Sequence, residues 1–155
     1  MFSLIVSIIS IALVAVLAAA SIYYGGDAFT KGSAKALAST VVTQAQQISS
    51  AHTLYKNDEG GSAAADVDAL VTGDYLASVP AAPAKVAKDT NVDPDVVTPA
   101  LWVLSANTVT LEVDNAEVCA LINEQGGDAA YVAATSKAQF GCETAGGNMT
   151  FTYKG

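Results

Sequence analysis

Residues 1–24 read MFSLIVSIISIALVAVLAAASIYY, a run with no charged side chain and only Ser3, Ser7, Ser10 and Ser21 as polar interruptions. A helix crosses a bilayer with ~20 apolar residues at ~1.5 Å rise each, and this run is long enough. It does not open like a secretory signal, which begins with Lys or Arg, carries a shorter apolar core and ends in a small-residue cleavage site before a polar chain.

The flanking charges add a constraint. The nearest cations, Lys31 and Lys35, lie C-terminal to the run. The positive-inside rule applied to these residues alone would leave everything after the run in the cytoplasm. Export of that portion requires basic residues ahead of Met1. The expectation is therefore a short basic leader removed on the cytoplasmic side, with Met1 as the processed N-terminus and the apolar helix kept in the mature protein.

Outward from this run, Gly25-Gly26 weakens helix by ~1 kcal/mol per glycine relative to Ala, and a hinge is expected there. Beyond it, Ala34, Leu37, Val41, Ala45, Ile48, His52 and Tyr55 recur at three- and four-residue steps. That stripe is one face of an amphipathic helix whose other face holds Ser39, Gln46, Gln47, Ser50 and Thr53. The glycines of DEGGS place its end near Asn57. The division expected is 1–27 as an apolar helix, 28–57 as an amphipathic helix packed on a head, and 58–155 as that globular head.

The head reads as α+β. Ala64 to Val71 fits a short helix stopped at Gly73, after which Tyr75, Leu76 and Val79 turn inward before Pro80. The segment 81–99, punctuated by Pro83, Pro94 and Pro99, is expected as a surface loop. Asp89, Asp93 and Asp95 within it lack the spacing of the twelve-residue calcium loop and read as solvated carboxylates. Ala100 to Leu104 and Thr108 to Val113 have strand composition about a turn at Ser105-Ala106-Asn107. Asp114, with Glu117 three residues on, is expected to cap a helix closed by Gly126-Gly127, its inward face Val118, Leu121 and Ile122. Two more strands are expected at Ala130 to Ala134 and Asn148 to Tyr153. The fold class expected is a long N-terminal helix, apolar then amphipathic, on a small four-stranded, mainly antiparallel sheet.

Charge and chemistry narrow the function. Fifteen acidic residues against seven basic ones, all Lys, give −8. Such a surface repels nucleic acid, whose binding depends on Lys and Arg neutralising phosphates, so no direct nucleic-acid binding is expected. With one histidine and no arginine, no nucleophile triad, metal cluster or phosphate-cradling glycine loop can be assembled. The chain is expected not to be an enzyme and to use no cofactor. His52, on the buried stripe without ligand-spaced neighbours, reads as a packed residue. Cys119 and Cys142 are the only cysteines, and in an exported chain a disulfide is the default. Closing a loop of ~20 residues contributes ~3 kcal/mol in the chain-entropy model. Asn148-Met149-Thr150 and the Ser and Thr residues are the places a glycan would sit.

The whole chain resembles a mature type IV pilin. The resemblance rests on the apolar helix after a starting Met, its amphipathic continuation, LV…GDYLASVP at Leu70 to Pro80 and the disulfide-bounded C-terminal region. The starting Met and EVCALINEQG, a Cys-bearing helix between strands, resemble most the type IVb branch. One departure stands out: pilins carry Glu at the fifth mature position, opposite a neighbour's N-terminal ammonium, and this chain has Ile5. Archaeal-type pilins also do without that Glu. The resemblance implies a major filament subunit whose partners are copies of itself, an inner-membrane assembly machinery and, before assembly, the membrane. Ala12, Ala15, Ala18 and Ala19 would allow close helix packing in the filament core. The filament would be extracellular and serve adhesion, motility or DNA transfer. The competing expectation is a pseudopilin of a secretion system, or a membrane-tethered binding protein that never polymerises.

Overall fold

Helix-forming residues dominate the first 58 positions, none of them proline, and the longest element arises there. The computed structural model describes residues 2–88 and 101–155, with backbone alone at 24–29. Helix α1 spans Phe2–Asp58. Helix α2 (Val67–Thr72), strands β1 (Val103–Ser105) and β2 (Thr108–Val113), helix α3 (Ala116–Gly126) and strands β3 (Phe140–Ala145) and β4 (Asn148–Lys154) follow. The class is α+β. Contacts divide the chain into two units, Met1–Ala34 and Lys35–Gly155.

In the first unit, α1 is helical throughout its described residues, including the backbone of Gly25 and Gly26. In the single chain the helix runs unbroken through the expected hinge at Gly25-Gly26. In the second unit, α1 lays an apolar face on the head. Val41, Ala45, Ile48 and His52 of the expected stripe are buried, as are Ala38 and Ala51, while Leu37 and Tyr55 are half-buried and Ser39, Gln46, Gln47, Ser50 and Thr53 are exposed. Side chains on its flanks tie it down. Gln44 Nε2 donates to the Ala81 carbonyl at 2.9 Å, and Lys56 Nζ donates to Asn107 Oδ1 at 3.0 Å. The helix stops where Gly60 and Gly61 take positive φ, with Gly61 N–H donating to the Lys56 carbonyl.

The sheet is antiparallel with strand order β1-β2-β4-β3. Its register places Leu111, Phe151 and Cys142 in one row and Val109, Tyr153 and Phe140 in the next, all on one face because side chains alternate along a strand. Phe151, Leu111, Val109 and Val113 are among the most deeply buried side chains of the head, together with Ile48, Leu70, Val86, Val118 and Ile122. Trp102 meets Phe151 edge to face at 6.2 Å, and its indole N–H donates to the Pro80 carbonyl at 3.0 Å.

Several elements differ from the expectation drawn from sequence. Residues 130–134 form no strand. Ser136 Oγ accepts from Val132 N–H and Glu143 Oε2 from Ala133 N–H, while the Val132 carbonyl accepts from Thr135 and Ser136. Local side chains and the main-chain N–H groups of Thr135 and Ser136 thus take the groups a ladder would need. The fourth strand is instead β3, FGCETA, which carries Cys142. Gly146 (φ 60°) and Gly147 (φ 86°) join β3 to β4 as a two-residue turn requiring positive φ at both positions.

The α3 cap is Asn115, not Asp114: its Oδ1 accepts from Glu117 and Val118 N–H, and Gly127 closes the helix in the left-handed region. Helix α2 begins three residues later than expected, where Asp66 accepts from Ala69 N–H. The described part of the expected surface loop is partly core. Ala82, Val86 and Ala87 are buried, and Ala87 pairs with Val113 on the β1 side of β2. Asp89, Asp93, Asp95 and Ala100 lie outside the described residues.

Candidate functional site

Two regions bear on function: the uncovered apolar helix, and the disulfide-bounded end of the head. Phe2–Tyr23 is 22 residues long with a mean hydropathy of 2.8. At 1.5 Å per residue it measures about 33 Å, against about 30 Å for a bilayer's hydrocarbon core. None of it is covered in the single chain. Three hydroxyls that would be costly in hydrocarbon are satisfied within the helix. Ser7, Ser10 and Ser21 Oγ donate to the carbonyls of Ser3, Val6 and Leu17 at 3.0, 2.8 and 2.8 Å. By length and composition this helix can serve as a membrane anchor, and an N-terminal signal passes the same test.

Its surface is uneven. A shallow notch is lined by Ser10, Ile11, Val14, Ala15 and Ala18. Ala15 and Ala19, four residues apart, share a face with Ala12 and Ala18 close by, so another helix backbone can approach there. Ile5 is exposed, and the first turn of α1 carries no acidic residue. Met1 lies outside the described residues.

In the head, Cys119 on α3 and Cys142 on β3 form a disulfide, with Cα atoms 5.4 Å apart and 23 positions between them in sequence. Beside it, Asn123 does what a further strand would do. Its Nδ2 donates to the Cys142 carbonyl at 2.9 Å, and its Oδ1 accepts from Cys142 N–H at 2.6 Å. Because β3 is an edge strand, this amide blunts the ladder where another chain could pair. Gly126 allows the close approach, since a Cβ there would fall 2.6 Å from the Phe140 carbonyl oxygen. Neither Asn123 nor Gly126 is recognisable as an edge cover until β3 is known to run beside α3.

Two titratable side chains of the head are shifted by burial. His52 is 4% exposed and Nε2 accepts from Ala64 N–H at 3.3 Å. Burial, and then the Lys56 charge, pushes its pKa below the usual 6.5. Tyr131 is buried against Gly141 beneath the Lys154 ammonium, and burial followed by the Glu143 and Asp128 charges raises its pKa. Among the described residues no group of three or more His, Cys, Asp or Glu is placed to hold a metal ion. The observed arrangement is an uncovered apolar helix and a stapled head. No family model, curated protein or solved structure matches the chain, so the residues and their geometry carry the functional reading by themselves.

Proposed function

We propose that the chain is the major structural subunit of an extracellular type IV pilus filament, polymerising through its apolar helix. The observation that carries this reading is the bare 22-residue helix joined to an amphipathic segment whose apolar face is already used by the head. A helix of that kind needs an apolar environment along its whole length. A bilayer provides one before assembly, and the same helix in other copies provides one afterwards.

On this reading the protein is held in the inner membrane, handed to an assembly machinery, and exported with heads outward. Adhesion, motility or DNA transfer would be the filament's role, and the chain would have no enzymatic activity and no cofactor. Ile5 leaves a neighbour's terminal ammonium without the carboxylate that pilins supply, so main-chain carbonyls or Ser hydroxyls would have to receive it. The small side chains at Ala12, Ala15, Ala18 and Ala19 favour a polymer over a lone anchor, because lipid alone places no demand for close approach.

The test is negative-stain microscopy of material sheared from the cell surface, with the subunit identified by peptide mass. Filaments composed mainly of this chain are expected. A chain recovered only as a membrane-bound monomer would contradict the proposal and favour a tethered, non-polymerising protein.

A further inference from the structure

Of the six asparagines in the chain, only Asn148 is followed two positions later by Ser or Thr, in Asn148-Met149-Thr150. This is the acceptor pattern for N-glycosylation when the middle residue is not proline. The fold presents it at an accessible tip. Thr144 to Asn148 are all exposed, and Gly146-Gly147 turns the hairpin there. The β2–β4 pairing ends at Val113 and Met149, so Asn148 extends one residue past the last partner on that side.

The local chemistry is suited to the reaction. Asn148 and Thr150 are two residues apart on a strand and share a face. Lys88 Nζ donates to Asn148 Oδ1 at 3.1 Å, occupying the carbonyl and leaving Nδ2, the atom that would carry the sugar, without a hydrogen bond among the described residues. The Thr150 hydroxyl likewise makes none there. Glu112 and Glu143 stand opposite Thr150 on the flanking strands.

We infer that Asn148 is an N-glycosylation site, taking an oligosaccharide from a polyprenyl-phosphate-linked donor. The bond formed joins Asn148 Nδ2 to the anomeric carbon of the first sugar. The bond broken joins that carbon to the lipid phosphate, which leaves, and the amide gives up one proton to a base of the transferase. The inference rests on the proposed export of the head, since such donors act on exported chains. It further requires that the β3–β4 tip face solvent in any assembly, because a glycan there cannot be buried between subunits.

Trypsin cuts after Lys137 and Lys154, releasing residues 138–154, in which Asn148 is the only asparagine. The experiment is mass spectrometry of that peptide, after reduction, from full-length chain recovered from both the sheared surface fraction and the membrane fraction of its own cells. Thr150→Ala, Thr150→Ser and Asn148→Gln are compared with the wild type. The expected result is a peptide heavier by a whole number of sugar residues, with fragments placing the gain on Asn148. The gain should vanish in Thr150→Ala and Asn148→Gln and persist, at equal or lower occupancy, in Thr150→Ser.

An unmodified peptide from assembled filaments would overturn the glycan and leave the filament reading standing. A modified peptide found only in membrane-bound monomer would support the glycan while the filament reading fails. A sugar that survives Asn148→Gln would mark attachment through a hydroxyl and overturn the assignment to Asn148.

Discussion

His52 illustrates how one buried side chain sets a pH dependence. In the unfolded chain it titrates at its ordinary 6.5, and in the folded head burial and Lys56 hold its pKa lower. Between the two values the unfolded state binds more protons, so stability falls as pH drops below about 6.5 and levels off below the folded pKa. Thermal melting of the wild type should therefore lose more on acidification from neutral to pH ~5 than that of His52→Gln, whose amide can still accept from Ala64 N–H. Identical slopes for the two proteins would show that His52 is indifferent to protonation. At Gly141 the issue is space. A Cβ there would lie 2.1 Å from Tyr131 Cγ, a ring atom near the backbone that cannot swing aside. Gly141→Ala should cost about 1–3 kcal/mol by overpacking, read as a lowered midpoint in urea. An unchanged midpoint would mean that the 130–137 segment moves freely off the sheet.

The long elements were readable from sequence because their signals are periodic and redundant. Val41, Ala45, Ile48 and His52 repeat the helical step over several turns, and one ambiguous residue does not alter the pattern. The apolar run is read by length and absence of charge, which no tertiary contact overrides. Strand β3 was missed for the opposite reason. FGCETA has weak strand composition and takes its place from pairing with β4, whereas YVAA has strand composition but loses its ladder groups to Ser136 and Glu143. The one local clue was Gly146-Gly147, a two-residue hairpin signal that reads as an ordinary loop when the preceding strand is not recognised. The disulfide is expected from cysteine number together with the proposed export; Asn123 at the same edge has no signal of its own. At this scale the apolar helix makes a prediction. Replacing Ala15 and Ala19 together by Leu raises hydropathy, so membrane insertion should persist, yet it fills the surface where helices would approach. Filament yield should fall while the membrane pool is maintained, as measured by fractionation and immunoblot. Undiminished yield would remove those alanines from the packing argument.

Taken whole, the molecule separates its charge from its apolar helix. Asp27 and Lys31 offset each other, so the entire −8 falls on residues 35–155. Heads of like charge repel, which keeps them soluble and opposes their association. On the proposed filament reading, attraction between copies comes from the helix. Deleting residues 1–27 should release a soluble, folded monomer with the Cys119–Cys142 bridge intact, checked by sedimentation and by absence of free thiol. A truncated chain that still polymerises would place the attraction in the head, and one that fails to fold would show that the head depends on the deleted helix. A helical reconstruction of the sheared filaments, with the chain traced, shows which part of each copy meets its neighbours. Residues 2–23 of neighbouring copies are expected to pack against one another along the axis, with helical hydrogen bonds lost within a few residues of Gly25 and the acidic heads outside. Heads meeting at the axis, with residues 2–23 turned outward and uncovered, would contradict this arrangement.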